Sequence, residues 1–136
     1  MYLSMLSEKQ KYYFLGLACS VAAIDGDFST IEEELIKQYC REMQISYNSD
    51  ELKTAANDVS NSIFEITEWD ITAKKIIIFE LIGLALSDNR YDYSEKNFIN
   101  MIGNSFDIDE NFTDSCEIAI SSYIQFQNTL NKIIIS

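Results

Sequence analysis

Two sets of carboxylates, in two copies of one segment that match at Asp25 and Asp88 and at Glu32 and Glu95, are the side chains in this sequence best placed to do chemistry. Asp25, Asp27 and Glu32 form the first set, and Asp88, Asp92 and Glu95 the second. Hard divalent cations such as Ca²⁺, Mg²⁺ or Mn²⁺ take oxygen ligands, so three acids gathered around one turn could hold such an ion. The repeated segment is easily traced. Ala22-Ala23-Ile24-Asp25-Gly26-Asp27-Phe28-Ser29-Thr30-Ile31-Glu32 aligns without a gap on Ala85-Leu86-Ser87-Asp88-Asn89-Arg90-Tyr91-Asp92-Tyr93-Ser94-Glu95. The same offset pairs Ile36 with Ile99 and Ile45 with Ile108.

The residue types around the acids predict how they are positioned. Gly26 and Asn89 best tolerate the left-handed backbone that ends a helix. Ser29 and Asp92 are N-cap residues for the helix that follows, with Glu32 and Glu95 three residues on at capping-box spacing. Each set therefore sits where one helix stops and the next begins. Phe28 and Tyr91 supply an aromatic anchor, expected to point inward between consecutive helices. Asp25 and Asp88 face the negative end of a helix dipole, which costs about 0.3–1 kcal/mol. Two arrangements offset that cost: hydrogen bonds from the amides of the next helix, or a bound cation. The first turn is not an EF-hand, because Thr30 stands where the loop glycine is required and Ile36 where the bidentate glutamate is required. Arg90 places a positive charge in the second turn, so a second cation site is expected to be weaker than the first.

Hydrophobic periodicity predicts six helices. Ser7 and Gln10 open the first, at about 8–25, with Tyr13, Leu17, Val21 and Ile24 on its apolar face. A second runs from about 30 to 43, with Ile31, Leu35, Tyr39 and Met43 in one row. A third begins near Asn48 and continues through Leu52, Val59 and Ile63, ending before Thr67. The fourth, at about 68–88, is apolar nearly all round and is expected to be the most enclosed; Glu80 within it needs a buried partner such as Lys74, Lys75 or Arg90, or an edge that reaches solvent. The last two span about 93–104 and 110–133. The fold class is all-α, a compact single-domain bundle of six to seven helices with two duplicated halves at about 8–66 and 68–133.

Composition agrees with that class. Hydrophobic residues make up 47% of 136 residues, enough for one core, and the absence of proline leaves little to interrupt helices. Ten Lys plus Arg against 22 Asp plus Glu give a formal charge of −12. That charge repels nucleic-acid phosphates and anionic lipid surfaces, and favours cations or a protein partner with a basic surface. Acids concentrate in two windows without a base, from Asp25 to Glu34 and from Asp107 to Glu117. Cys19, Cys40 and Cys116 lack CxxC spacing, and with no histidine in the chain they read as small buried apolar residues. The N-terminus has no signal-peptide pattern and the longest apolar run is about half a membrane span, so a soluble cytoplasmic protein without membrane insertion is expected. Nucleophile-base motifs and phosphate-binding glycine loops are missing, which argues against an enzyme.

Ala22 to Ser29 followed by Glu32 resembles the A-x-x-D-G-x-[hydrophobic]-S-x-x-E motif of the TerB-like, tellurite-resistance family, also seen in the cytoplasmic domain of DjlA-type co-chaperones. Ala85 to Glu95 looks like its second copy, and the resemblance covers roughly residues 8–120. It implies an all-helical, internally duplicated fold and acidic turn residues that bind metal. Carried over by position, these are Asp25, Asp27 and Glu32, then Asp88, Asp92 and Glu95. Asn89 and Arg90 depart from the pattern at the second site. Two functional classes follow: a cation-binding stress-response scaffold that docks on other proteins, or a metal-independent acidic inhibitor or immunity protein that blocks a basic partner such as a nuclease.

Overall fold

A computed structural model describes residues 1–24, 30–48, 50–51, 54, 57–87 and 91–135. It is all-helical: a 3₁₀ turn at Leu3–Met5 precedes α1 (Glu8–Ala22), α2 (Thr30–Met43), α3 (Val59–Ile66), α4 (Ile71–Leu86), α5 (Tyr93–Ser105) and α6 (Glu110–Ile135).

The helix starts are written in the caps. Ser7 accepts from the Gln10 amide at 3.2 Å while the Gln10 side chain accepts from the Ser7 amide at 2.8 Å, a full capping box. Asp70, the equivalent of Ser7 in the second half, accepts from the Ala73 amide at 2.8 Å, and Asp92 from the Glu95 amide at 2.9 Å. α4 therefore starts at Ile71, slightly later than its apolar pattern suggests. The expected third helix is also interrupted: Asp50, Glu51 and Thr54 are helical, but Asn57 and Asp58 form a turn before α3. Both residues compete for backbone hydrogen bonds and favour turns over helix interiors.

At the centre, α1 packs against α4, its own equivalent in the second half. α2 and α3 flank α1, and α5 and α6 flank α4. This matched arrangement explains why two helices need apolar residues on every side. Every residue of α1 from Phe14 to Ala22 is buried, and α4 buries Ile76, Ile77, Ile78, Leu81, Ile82, Leu84 and Ala85. α2 is one-sided: Tyr39 and Met43 of the expected row are buried and Leu35 packs partly buried against the core, and the row departs at its first residue. Ile31 is 54% exposed, while Glu32, Ile36, Tyr39, Cys40 and Met43 face inward. α1 ends at Ala22, short of the expected 25, which leaves Ile24 41% exposed.

Candidate functional site

Of the six predicted metal-site residues, Glu32, Asp92 and Glu95 fall among the described residues; Asp25, Asp27 and Asp88 lie outside them, as do Phe28 and the cap residue Ser29. Glu32 and Glu95, equivalent across the repeat, are 4% and 3% exposed in the first turns of α2 and α5. Asp92 is engaged in capping α5. Beside it, Tyr91 packs on the core as expected of a turn anchor. Its hydroxyl donates to Glu117 of α6 at 2.8 Å, and Lys96 pairs with the same carboxylate at 3.6 Å. Burial first, and then the bond to Glu117, push the Tyr91 phenol well above its ordinary range. In the second turn the polar groups thus knit α5 to α6. Among the described residues, no group of three or more Cys, Asp or Glu side chains is arranged to hold a metal ion.

A cavity of about 790 Å³ lies elsewhere, between the N-terminal segment, α2, α4 and α6. Its walls are mostly apolar, with Leu35, Phe79, Leu86, Ile120 and Tyr123 among them. Glu42 and Glu80 also line it. The Met1 ammonium donates to Glu42 at 2.9 Å and to Glu80 at 3.0 Å, and the amides of Tyr2 and Leu3 donate to Glu80 and Glu42 at 3.0 and 2.9 Å. Partial burial lowers the pKa of the ammonium, but the hydrogen bonds to Glu42 and Glu80 outweigh it and the net direction is upward. Glu80, 4% exposed, is satisfied by this segment and not by Lys74 or Lys75, while Arg90 lies outside the described residues. Its backbone carbonyl also accepts from the Tyr39 hydroxyl at 3.2 Å. The need of Glu80 for a partner is visible in the sequence, but a contact with the first residues of the chain carries no local signal.

The three cysteines are buried and free. Burial, with a smaller contribution from Cys40, pushes the Cys19 thiol up to about 12, far from the reactive thiolate range.

The outer half of α6 is the feature with no assigned role in the sequence. Only Thr113 and Cys116 of this 26-residue helix are buried. After Ile120, which still packs against the core, α6 is mostly exposed, with Tyr123 49%, Phe126 60%, Leu130 42% and Ile133 68% exposed. Four exposed acids, Asp107, Asp109, Glu110 and Asp114, gather at the other end of the same helix. Chemically, then, the described surface offers an apolar helical face, an apolar cavity and an acidic rim. These are binding features.

Comparison with protein-family models, with curated proteins and with solved structures finds no match to this chain. Among the described residues, no helix is long and apolar enough to cross a membrane.

Proposed function

We propose that this chain is a TerB-like, non-enzymatic scaffold that works in the cytoplasm by docking on protein partners. The observation that carries this reading is the outer half of α6, about 22 Å of helix after Ile120 at 1.5 Å per residue, with large apolar side chains exposed along it. Exposed apolar residues scattered singly need no explanation, whereas a contiguous stripe of them marks an interaction surface. A divalent cation at Asp25, Asp27 and Glu32 belongs to the same reading, as a brace that steadies the α1–α2 turn. Placing a photo-crosslinking residue at position 126 in cells tests the scaffold, with the exposed body position Asn104 as control. Protein adducts from 126 and not from 104 are expected; equal yields from both positions would contradict the reading.

A second reading, the acidic inhibitor of a basic protein, is favoured by Asp107, Asp109, Glu110 and Asp114, four exposed acids without an ion pair to a described residue. Its contacts would lie on the α5–α6 turn and weaken as salt rises. Adducts confined to that turn would support it over the scaffold.

A further inference from the structure

We infer that the occupant of the exposed α6 face is a second copy of this chain, its α6 lying antiparallel to the first. The inference rests on the scaffold reading and names the partner of the same surface.

Spacing is the first argument. Cys116, Ala119, Tyr123, Phe126, Leu130 and Ile133 alternate by three and four residues, the pattern of a seam that packs against another helix. Cys116 uses this seam inside the molecule, where it is 7% exposed, and the positions from Tyr123 onward continue it into solvent.

Charge identifies the kind of helix that fits. In a chain of formal charge −12, the stretch from Ile118 to Ile135 holds one charged residue, Lys132. A basic partner finds no acid there to attract it. Two copies meet no like charges at the positions flanking the seam, where Ile120, Ser122, Gln127, Thr129 and Ile134 stand.

Orientation follows from the acidic bodies. A parallel pair would set both bodies side by side at one end, whereas an antiparallel pair holds them at opposite ends. In the antiparallel register that keeps the seam in phase, Tyr123 meets Phe126 of the second copy and Ala119 meets Leu130 of the second copy. The large-to-small pairing at Ala119 brings the far end of the second α6 to the mouth of the cavity, which Ala119, Ile120 and Tyr123 line. Each copy would then cover part of the other's cavity. At roughly 100 Å² from each half-exposed large side chain, the seam and cavity mouth bury about 500 Å² per copy. The total of about 1,000 Å² is what a specific, reversible association requires.

Sedimentation velocity on the full chain tests this. At about 0.15 M salt and tens of micromolar protein, where the screening length is about 8 Å, a species of twice the 15.6 kDa chain mass is expected. Raising salt should tighten the association by screening the two bodies, the reverse of what a basic partner would show. The double variant Phe126→Ser/Leu130→Ser should weaken it at least about tenfold, a difference of 1.4 kcal/mol or more. Ile118→Ser, at a site 69% exposed but off the seam, should leave it unchanged. For orientation, an oxidised mixture of Ala119→Cys and Leu130→Cys proteins should form the mixed disulfide dimer, with little product from either alone. A monomer at every salt concentration overturns the inference, as does an association that survives the double variant. So does a Leu130→Cys protein that crosslinks efficiently with itself. Binding of the monomer to neutral phosphatidylcholine vesicles, lost in the double variant, would assign the face to lipid instead. A monomer that still gives position-126 adducts to other proteins in cells would overturn the second copy and leave the scaffold standing.

Discussion

Gln44 and Asp107, equivalent positions of the two halves, both have positive φ, 58° and 59°. Each stands just past a helix, α2 or α5, and the next amide closes the same bond: Ile45 to the Cys40 carbonyl and Ile108 to the Gly103 carbonyl, both 2.8 Å. The repeat read at Asp25 and Asp88 therefore extends to the far ends of the following helices. Both residues occupy the left-handed C-cap position where glycine is preferred.

Substituting glycine at these two sites should be stabilising, because a side chain there costs up to about 1–2 kcal/mol. Gln44→Gly is expected to gain about 0.5–1 kcal/mol, and Asp107→Gly less, since aspartate tolerates this conformation better. Urea denaturation of the two variants reads the difference. A loss of stability in Gln44→Gly would show that its side chain supports the turn.

The caps and the repeat are legible in the sequence because they depend on neighbours three or four positions apart. Ser7, Asp70 and Asp92 each cap a helix, and two of them, Ser7 and Asp92, stand out from spacing alone. The inner face of α2 departs from its expected row at the start alone, where Glu32 and Ile31 exchange the burial their polarity suggests: the carboxylate goes inside and the isoleucine outside. The partner of Glu80 is illegible, being set by how the N-terminal segment crosses α2 and α4. The α6 seam is present as spacing, yet spacing alone does not say that its outer half is exposed. Of the candidate metal site, Asp92 takes the cap position expected of it and Glu95 supplies the amide it caps, while Asp25, Asp27 and Asp88 lie outside the described residues.

Tyr91→Phe should cost about 1.5 kcal/mol, the low end for a bond to a charged group given that Glu117 is partly open to solvent. The Tyr91→Phe/Glu117→Gln double variant should lose less than the sum of the single losses, because the two side chains share one bond. Strict additivity in chemical denaturation would mean that the bond contributes nothing.

Stability is expected to fall at alkaline pH. The thiol of Cys19 and the phenols of Tyr39 and Tyr91 are held above their ordinary values, chiefly by burial. A raised folded pKa contributes stability that is complete below the unfolded value and is lost as pH rises through the folded one. For Cys19 the window runs from 9.0 to about 12. Melting curves from neutral into strongly alkaline pH should show the loss, and Cys19→Ala should make it shallower. Faster reaction of Cys19 with a thiol reagent than global unfolding permits would contradict its enclosure.

If Asp25, Asp27 and Glu32 hold a divalent cation, saturation at about 100 times the dissociation constant adds roughly 2.7 kcal/mol. That is a melting shift of several degrees for a domain of this size. Millimolar Ca²⁺, Mg²⁺ or Mn²⁺, compared with NaCl of matched ionic strength, should raise the melting temperature of the wild type and of Asp88→Asn, but not of Asp25→Asn. Equal responses from all three would reduce the effect to charge screening and leave the carboxylates as braces of the turn.

Hydrogen exchange along α6 is the most direct test of whether its outer half is an uncovered face awaiting a partner. In dilute protein, amides from about residue 121 to 135 should exchange orders of magnitude faster than those of α1 and α4, and gain protection as a partner or a second copy is added. Strong protection of this stretch at the lowest concentration, unchanged by Phe126→Ser, would mean that the face is already covered within one molecule.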